Sequence, residues 1–209
     1  MKKIVLILGN GFDLDLGLKT RYIDFVNSGY FGNIISGKKP KWLEKKDEER
    51  CVFGVKNKLA SFIKSQANEN NNWVDIEKCI KKYCLSNSQG DAANFTDFDK
   101  ELFTIRHFLY KYLQHTIDNK KMRDNCNYKK TVAYTLLERV IESGVEYKIW
   151  NFNYTYSCRC VLDDIKGNPL NLTHIHSSVD ECQEKYNTTI VLGVDYEKGI
   201  YNAFPSAVK

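Results

Sequence analysis

Apolar positions along the chain follow two different periods. Ile4 to Leu8 is a short run with no alternation, β-branched and leucine-rich, and it predicts a strand buried on both faces. Gly9-Asn10-Gly11 breaks it. Phe12 to Leu18 then predicts a short helix with Asp13 in its first turn, and Tyr22 to Asn27 a second helix capped by Thr20. Gly29, Gly32 and Gly37 predict a loop. From about Pro40 to Tyr134 the period is helical throughout. Helices are expected over Trp42 to Gln66, Trp73 to Leu85 and Phe95 to Ile117, the last built on Phe98, Leu102, Ile105, Phe108, Leu109 and Leu113. Asn68 to Asn72 and Ser86 to Ala93 are polar loops, and Lys120 to Lys130 is a basic connector.

The pattern then alternates. Val132 to Ile141 predicts a helix stopped by Ser143-Gly144, and Val145 to Phe152 a strand. Tyr154 to Ile165 predicts a helix ended by Gly167-Asn168-Pro169. Leu170 to Ile175 and Thr188 to Val194 are further strands. Strands alternating with helices imply a parallel sheet with right-handed crossovers. The expected fold is therefore α/β, a Rossmann-like parallel sheet in a single domain over 1–209, with a large helical insertion at about 40–130 after the first βα unit.

Composition narrows the class. The 209 residues are 43% hydrophobic and 27% charged, with 3 prolines, which excludes wholesale disorder and low-complexity chains. A net charge of +5 permits an anionic ligand without requiring nucleic acid. No apolar run approaches the roughly 18 residues of a membrane span, and the first is too short for a signal-peptide core, so a cytoplasmic protein with no membrane partner is expected. Seven cysteines, an odd number, disfavour a disulfide framework. None sits at the spacing of a zinc knuckle, and Cys158 and Cys160 point apart on a helix, so no metal is expected.

In such sheets ligands lie beyond the carboxyl ends of the strands. The residues that follow each strand therefore hold the candidate chemistry: Gly9 to Asp13, Asn151 to Thr155, His174 to Ser178 and Gly193 to Asp195. A glycine turn leading into a helix exposes backbone N–H groups to a phosphate, and it also serves as a plain tight turn. Asn153 and Thr155 suit ribose hydroxyls or a water, and they equally suit a helix cap. His174 and His176 share one face of a strand, where a histidine serves as a general base or as a structural group. Asp75 and Glu77 sit two apart, off a common helix face, and read as ordinary first-turn acids.

Four blocks in order resemble the bacteriophage abortive infection protein AbiH family. They are Ile7-Leu8-Gly9-Asn10-Gly11-Phe12-Asp13-Leu14 with Gly17-Leu18 and Thr20 to Phe25; Asn72-Trp73-Val74-Asp75-Ile76-Glu77; Phe152-Asn153-Tyr154-Thr155; and His174-Ile175-His176 with Val191-Leu192-Gly193-Val194. More distantly the order is similar to the SIR2-like fold. That likeness implies an NAD-binding site: Gly9, Asn10, Gly11, Phe12 and Asp13 as the phosphate loop with Thr155 beside it, Asn153 near the nicotinamide ribose, and His176 as the catalytic histidine. Ser177 stands where the family usually has glycine, and Thr155 where SIR2-like enzymes have aspartate. The chain ends soon after Val194, as a short member would.

The resemblance implies a phage-defence protein that binds NAD and, as an NAD glycohydrolase, splits its nicotinamide–ribose bond. The alternative is a non-catalytic nucleotide-binding or protein-interaction sensor. A phage-derived trigger and further copies of the chain are the expected partners. Nucleic acid is not, because its support is confined to the basic connector.

Overall fold

The computed structural model describes residues 2–69, 75–87, 95–116, 127–176 and 205–208, with 122, 124 and 192 besides. The expected strand at Thr188 to Val194, the loop Gly193 to Asp195, and Ser177 lie outside the described residues apart from Leu192, which is buried. The chain divides into two compact units. One comprises Met1–Arg21 with Leu113–Ile190, and the other Tyr22–Tyr112 with Val191–Lys209.

The first unit is α/β. Strand β1 (Lys3–Leu8) pairs in parallel with β2 (Glu146–Asn151), and β2 pairs in parallel with β3 (Leu172–His174), giving the order β1-β2-β3. Helix α1 (Asn10–Asp15) follows β1 directly. Helix α8 (Val132–Glu142) precedes β2, and α9 (Ser157–Asp164) follows it. Thr131 caps α8 by accepting from the Tyr134 N–H, and Asp15 Oδ2 accepts from Ala133 N–H at 2.7 Å, an acid at a helix start. Leu8, Phe12, Leu16, Leu137, Ile149, Val161 and Leu162 form its core, with Ile4 and Leu6 packed against it.

The expectation that β1 is buried on both faces does not hold. Its exposure alternates, with Val5 56% and Ile7 67% exposed, because among the described residues one sheet face alone is covered. The register sets Ile7 beside Trp150, itself 46% exposed, on the open face.

The second unit is helical. It contains α2 (Tyr22–Val26), α3 (Gly29–Ser36), α4 (Lys45–Glu48), α5 (Lys58–Glu69), α6 (Ile76–Asn87) and α7 (Phe95–Thr116) as far as Tyr112. The segment read as a glycine loop is helix α3. Ser28 caps its start, Gly37 closes it at φ 64°, and Phe31 and Ile34 are buried. The single helix expected from Trp42 to Gln66 is broken between α4 and α5. There Gly54 adopts φ 76°, and Asn57 Oδ1 caps α5 through the Ala60 N–H at 2.7 Å.

Glu101 on α7 is 4% exposed, and its carboxylate accepts from Lys58 N–H at 2.8 Å and Leu59 N–H at 3.1 Å. Burial raises its pKa, and the two backbone bonds oppose that. Replacing Glu101 by Ala strands two N–H groups at the start of α5. The expected cost is about 2 kcal/mol of unfolding free energy, measured by urea titration. Glu101→Gln, which keeps an acceptor, should lose less.

Candidate functional site

Three strand ends converge on one rim. Leu8, Asn151 and His174 stand in register across the sheet. The ladder continues past them: Phe152 N–H donates to Leu8 O and Ile175 N–H to Asn151 O, each at 2.9 Å. The loops after β1, β2 and β3 therefore leave the sheet side by side, as a parallel sheet requires.

The loop after β1 is open. Gly9, Asn10 and Gly11 are exposed, and a Cβ added at either glycine would meet no atom within 4 Å. Among the described residues, packing therefore does not demand glycine at 9 or 11. Asn10 Oδ1 accepts from the Thr20 hydroxyl at 2.5 Å, which ties the turn to the chain just before α2. Phe12, 7% exposed, points into the core.

The loop after β2 is roped to the first. Asn151 is fully buried, and its Oδ1 accepts from Asn153 N–H at 3.1 Å, a local turn. Asn153, 6% exposed, donates from Nδ2 to the Gly9 carbonyl at 3.0 Å. Asp13 is fully buried, and Thr155 is 1% exposed. The Thr155 hydroxyl lies 2.8 Å from Asp13 Oδ2, and the Ser157 hydroxyl donates to Asp13 Oδ1 at 2.5 Å. Asp13 and Thr155 thus spend their side chains on each other, inside the unit, and any contact they make with a ligand is through backbone. Asn151, within the candidate range Asn151 to Thr155, and Ser157, which lay outside it, complete the arrangement. A second hydroxyl two positions after Thr155 was the available signal.

His174 ends β3 and His176 lies in the loop that follows, each half-buried. His174 Nδ1 is 3.4 Å from Asn153 O and 3.5 Å from Asn151 Nδ2, so it rests on the β2 loop. The His176 ring is edge-on to Phe152 at 5.5 Å between centroids and 6.1 Å from Tyr154. The structure brings Gly9, Asn10, Gly11, Asn153 and His174 to one rim, with His176 on the aromatic side of the β2 loop. Asp75 and Glu77 belong to the helical unit: Asp75 Oδ1 caps α6 through Lys78 N–H at 3.1 Å.

These blocks belong to one family along their whole length. A family model described as bacteriophage abortive infection AbiH matches residues 5–207. The chain belongs to the AbiH family. No curated protein and no solved structure matches it. AbiH membership points to a role in bacteriophage abortive infection. Among the described residues of this AbiH chain, no helix is long and apolar enough to cross a membrane. Nor do His, Cys, Asp and Glu there gather in a group of three that could hold a metal ion.

Asp13 has a thermodynamic signature. Burial pushes its pKa up from 3.8 to about 6, against the lowering effect of the hydroxyls of Ser157, Thr155 and Thr20. The folded state therefore binds a proton that the unfolded chain has already lost between about pH 4 and pH 6. Stability from this group is fully present below pH 3.8 and falls as pH rises through about 6. Relative to Asp13→Asn, the wild type should lose about 1 kcal/mol of unfolding free energy between about pH 5 and pH 8. Urea titrations at the two pH values measure it, and parallel losses in the two proteins would contradict it.

Proposed function

We propose that the rim at the carboxyl ends of β1, β2 and β3 binds a nucleotide of the NAD type, and that this binding serves phage defence. The observation that carries the reading is the open, exposed Gly9-Asn10-Gly11 turn, roped through the Gly9 carbonyl to Asn153. The first N–H groups of a helix lack partners within it, and a turn without Cβ atoms lets a pyrophosphate approach them. Asn10 supplies an exposed amide, which hydrogen-bonds as donor or acceptor. Phe152, Tyr154 and His176 offer rings against which a planar base can stack.

The chemistry open to such a site is hydrolysis of the nicotinamide–ribose bond. In this reading His176 takes the proton from the attacking water or a ribose hydroxyl. Asn153 fixes the loop that presents the ribose, and the glycine turn holds the pyrophosphate. A general base contributes about 10²–10⁴ in rate. His176→Ala is therefore expected to lower release of nicotinamide by at least about a hundredfold, with an unchanged melting temperature.

One observation favours a second reading, a sensor that binds the nucleotide without cleaving it. The Asn153 amide is 6% exposed and already committed to Gly9, which suits a scaffold better than a water-holding residue. Both readings require the glycine turn. Gly11→Ala should keep or raise the melting temperature, since alanine is up to about 1 kcal/mol better in a helix and meets no neighbour. It should weaken binding of NAD and ADP-ribose at least about tenfold. Calorimetry on the two proteins checks this, and unchanged affinity would remove the turn from the site. Chromatography of products then separates the readings: free nicotinamide supports the enzyme, and binding without product supports the sensor.

A further inference from the structure

A strand sends successive side chains to opposite faces of its sheet. Ile4, Leu6 and Ile149 turn to the core, to which α8 contributes Leu137 and Val140, while Val5, Ile7 and Trp150 stand exposed on the other face. The register sets Val5 beside Lys148 and Ile7 beside Trp150, so these side chains form one patch. All-parallel sheets occur almost only with helices over both faces. Among the described residues, one face of this sheet alone is covered.

Helix α8 carries a matching surface on its outer side. Ala133, Tyr134, Leu137 and Val140 are its buried residues. Val132 and Leu136, one turn apart, are 74% and 41% exposed. Exposed Arg139 continues that stripe, and exposed Glu142 flanks it in the last turn. The helix therefore shows an apolar first half and a charged second half to the outside. On the sheet patch the order along the strands is reversed. Charged Lys3 and Glu146 stand at the amino end, and apolar Ile7 and Trp150 at the carboxyl end.

A helix laid antiparallel to the strands brings like character together along its whole length. Val132 then lies over Ile7 and Trp150, Leu136 over Val5, Arg139 toward Glu146 and Glu142 toward Lys3. The lengths agree. From Val132 to Glu142 the helix rises about 15 Å, and from Ile7 back to Lys3 the strand spans about 13 Å. Lys3 and Glu146 already pair at 2.9 Å, so the two helix charges extend that pair into a group of alternating sign. The antiparallel sense is also the one α8 has in its own chain, because the short turn at 143–145 reverses the chain between α8 and β2. A second copy displaced along the sheet normal, without inversion, presents α8 in this sense.

We propose that the chain associates head to tail with further copies of itself, the outer face of α8 in one copy covering the open β1–β2 face of the next. The two surfaces lie on opposite sides of the α/β unit, so each contact leaves one of either kind unused and addition continues. The apolar residues supply the attraction, and the exposed charges fix direction and register more than they add strength. One helix of 11 residues on this patch buries less than the roughly 1,200 Å² of a stable interface. Association is therefore weak and grows with concentration.

Sedimentation velocity of the full chain tests it. The wild type should run near its monomer mass of 24.3 kDa at about 5 μM and rise by at least about half in average mass at about 500 μM. Val5→Lys on the sheet face and Leu136→Lys on α8 should each hold the chain at monomer mass throughout. Both positions are exposed, and Ile7→Lys repeats the first change on the same face should Val5→Lys fail to fold. Mixing the two variants decides the geometry. Val5→Lys keeps an intact α8 surface and Leu136→Lys an intact sheet face, so the mixture should form a dimer and stop there. A wild type that stays monomeric up to the highest concentration overturns the proposal. So does association that survives Leu136→Lys, which would make the contact sheet to sheet or place it elsewhere, and so does a mixture that stays monomeric.

Discussion

Asp13 is a carboxylate with no exposed surface, held at the joint of two loops that leave neighbouring strands. An ionised carboxylate is costly to bury unless hydrogen bonds replace its water. Here the Thr155 and Ser157 hydroxyls replace part of it, and burial still pushes the pKa up to about 6. The geometry of the rim follows from that demand. To hold two hydroxyls against Asp13, the β2 loop must return to the start of α1. That return brings the Asn153 amide to the Gly9 carbonyl and places His174 against the Asn153 backbone. The glycine turn is thereby fixed from behind, while Gly9, Asn10 and Gly11 stay exposed.

A divided surface results. Residues that hold the rim together are buried: Asp13, Asn151, Asn153, Thr155 and Ser157. Residues left to meet a ligand are exposed or half-buried: Gly9, Asn10, Gly11 and the His176 cluster with Phe152 and Tyr154. AbiH membership, over residues 5–207, points to a role in phage abortive infection.

Much of this was legible in the sequence, and what was not has a common cause. The β1–glycine turn–α1 unit and the parallel pairing of β1, β2 and β3 follow from local period and turn chemistry. So did the strand-end positions of Asn153, His174 and His176. Helix α3 was missed because Gly29, Gly32 and Gly37 read as a loop, although Ser28 before and Gly37 after are a helix's own start and stop signals. The open face of β1 was missed because an apolar strand does not state whether one face of its sheet or both are covered. The roles of Asp13 and Thr155 were hidden by distance. Asp13 meets Thr155 142 residues along the chain and Ser157 144 residues along, and no local pattern encodes such a contact.

The central claim is that the strand-end rim is the ligand site of this AbiH protein. Backbone NMR of the chain titrated with ADP-ribose tests it most directly. The account predicts shifts concentrated at Gly9 to Gly11, at 151–156 and at 174–176, with the helices α2 to α6 unmoved. Shifts confined to the helical unit, or none at the glycine turn, would contradict it.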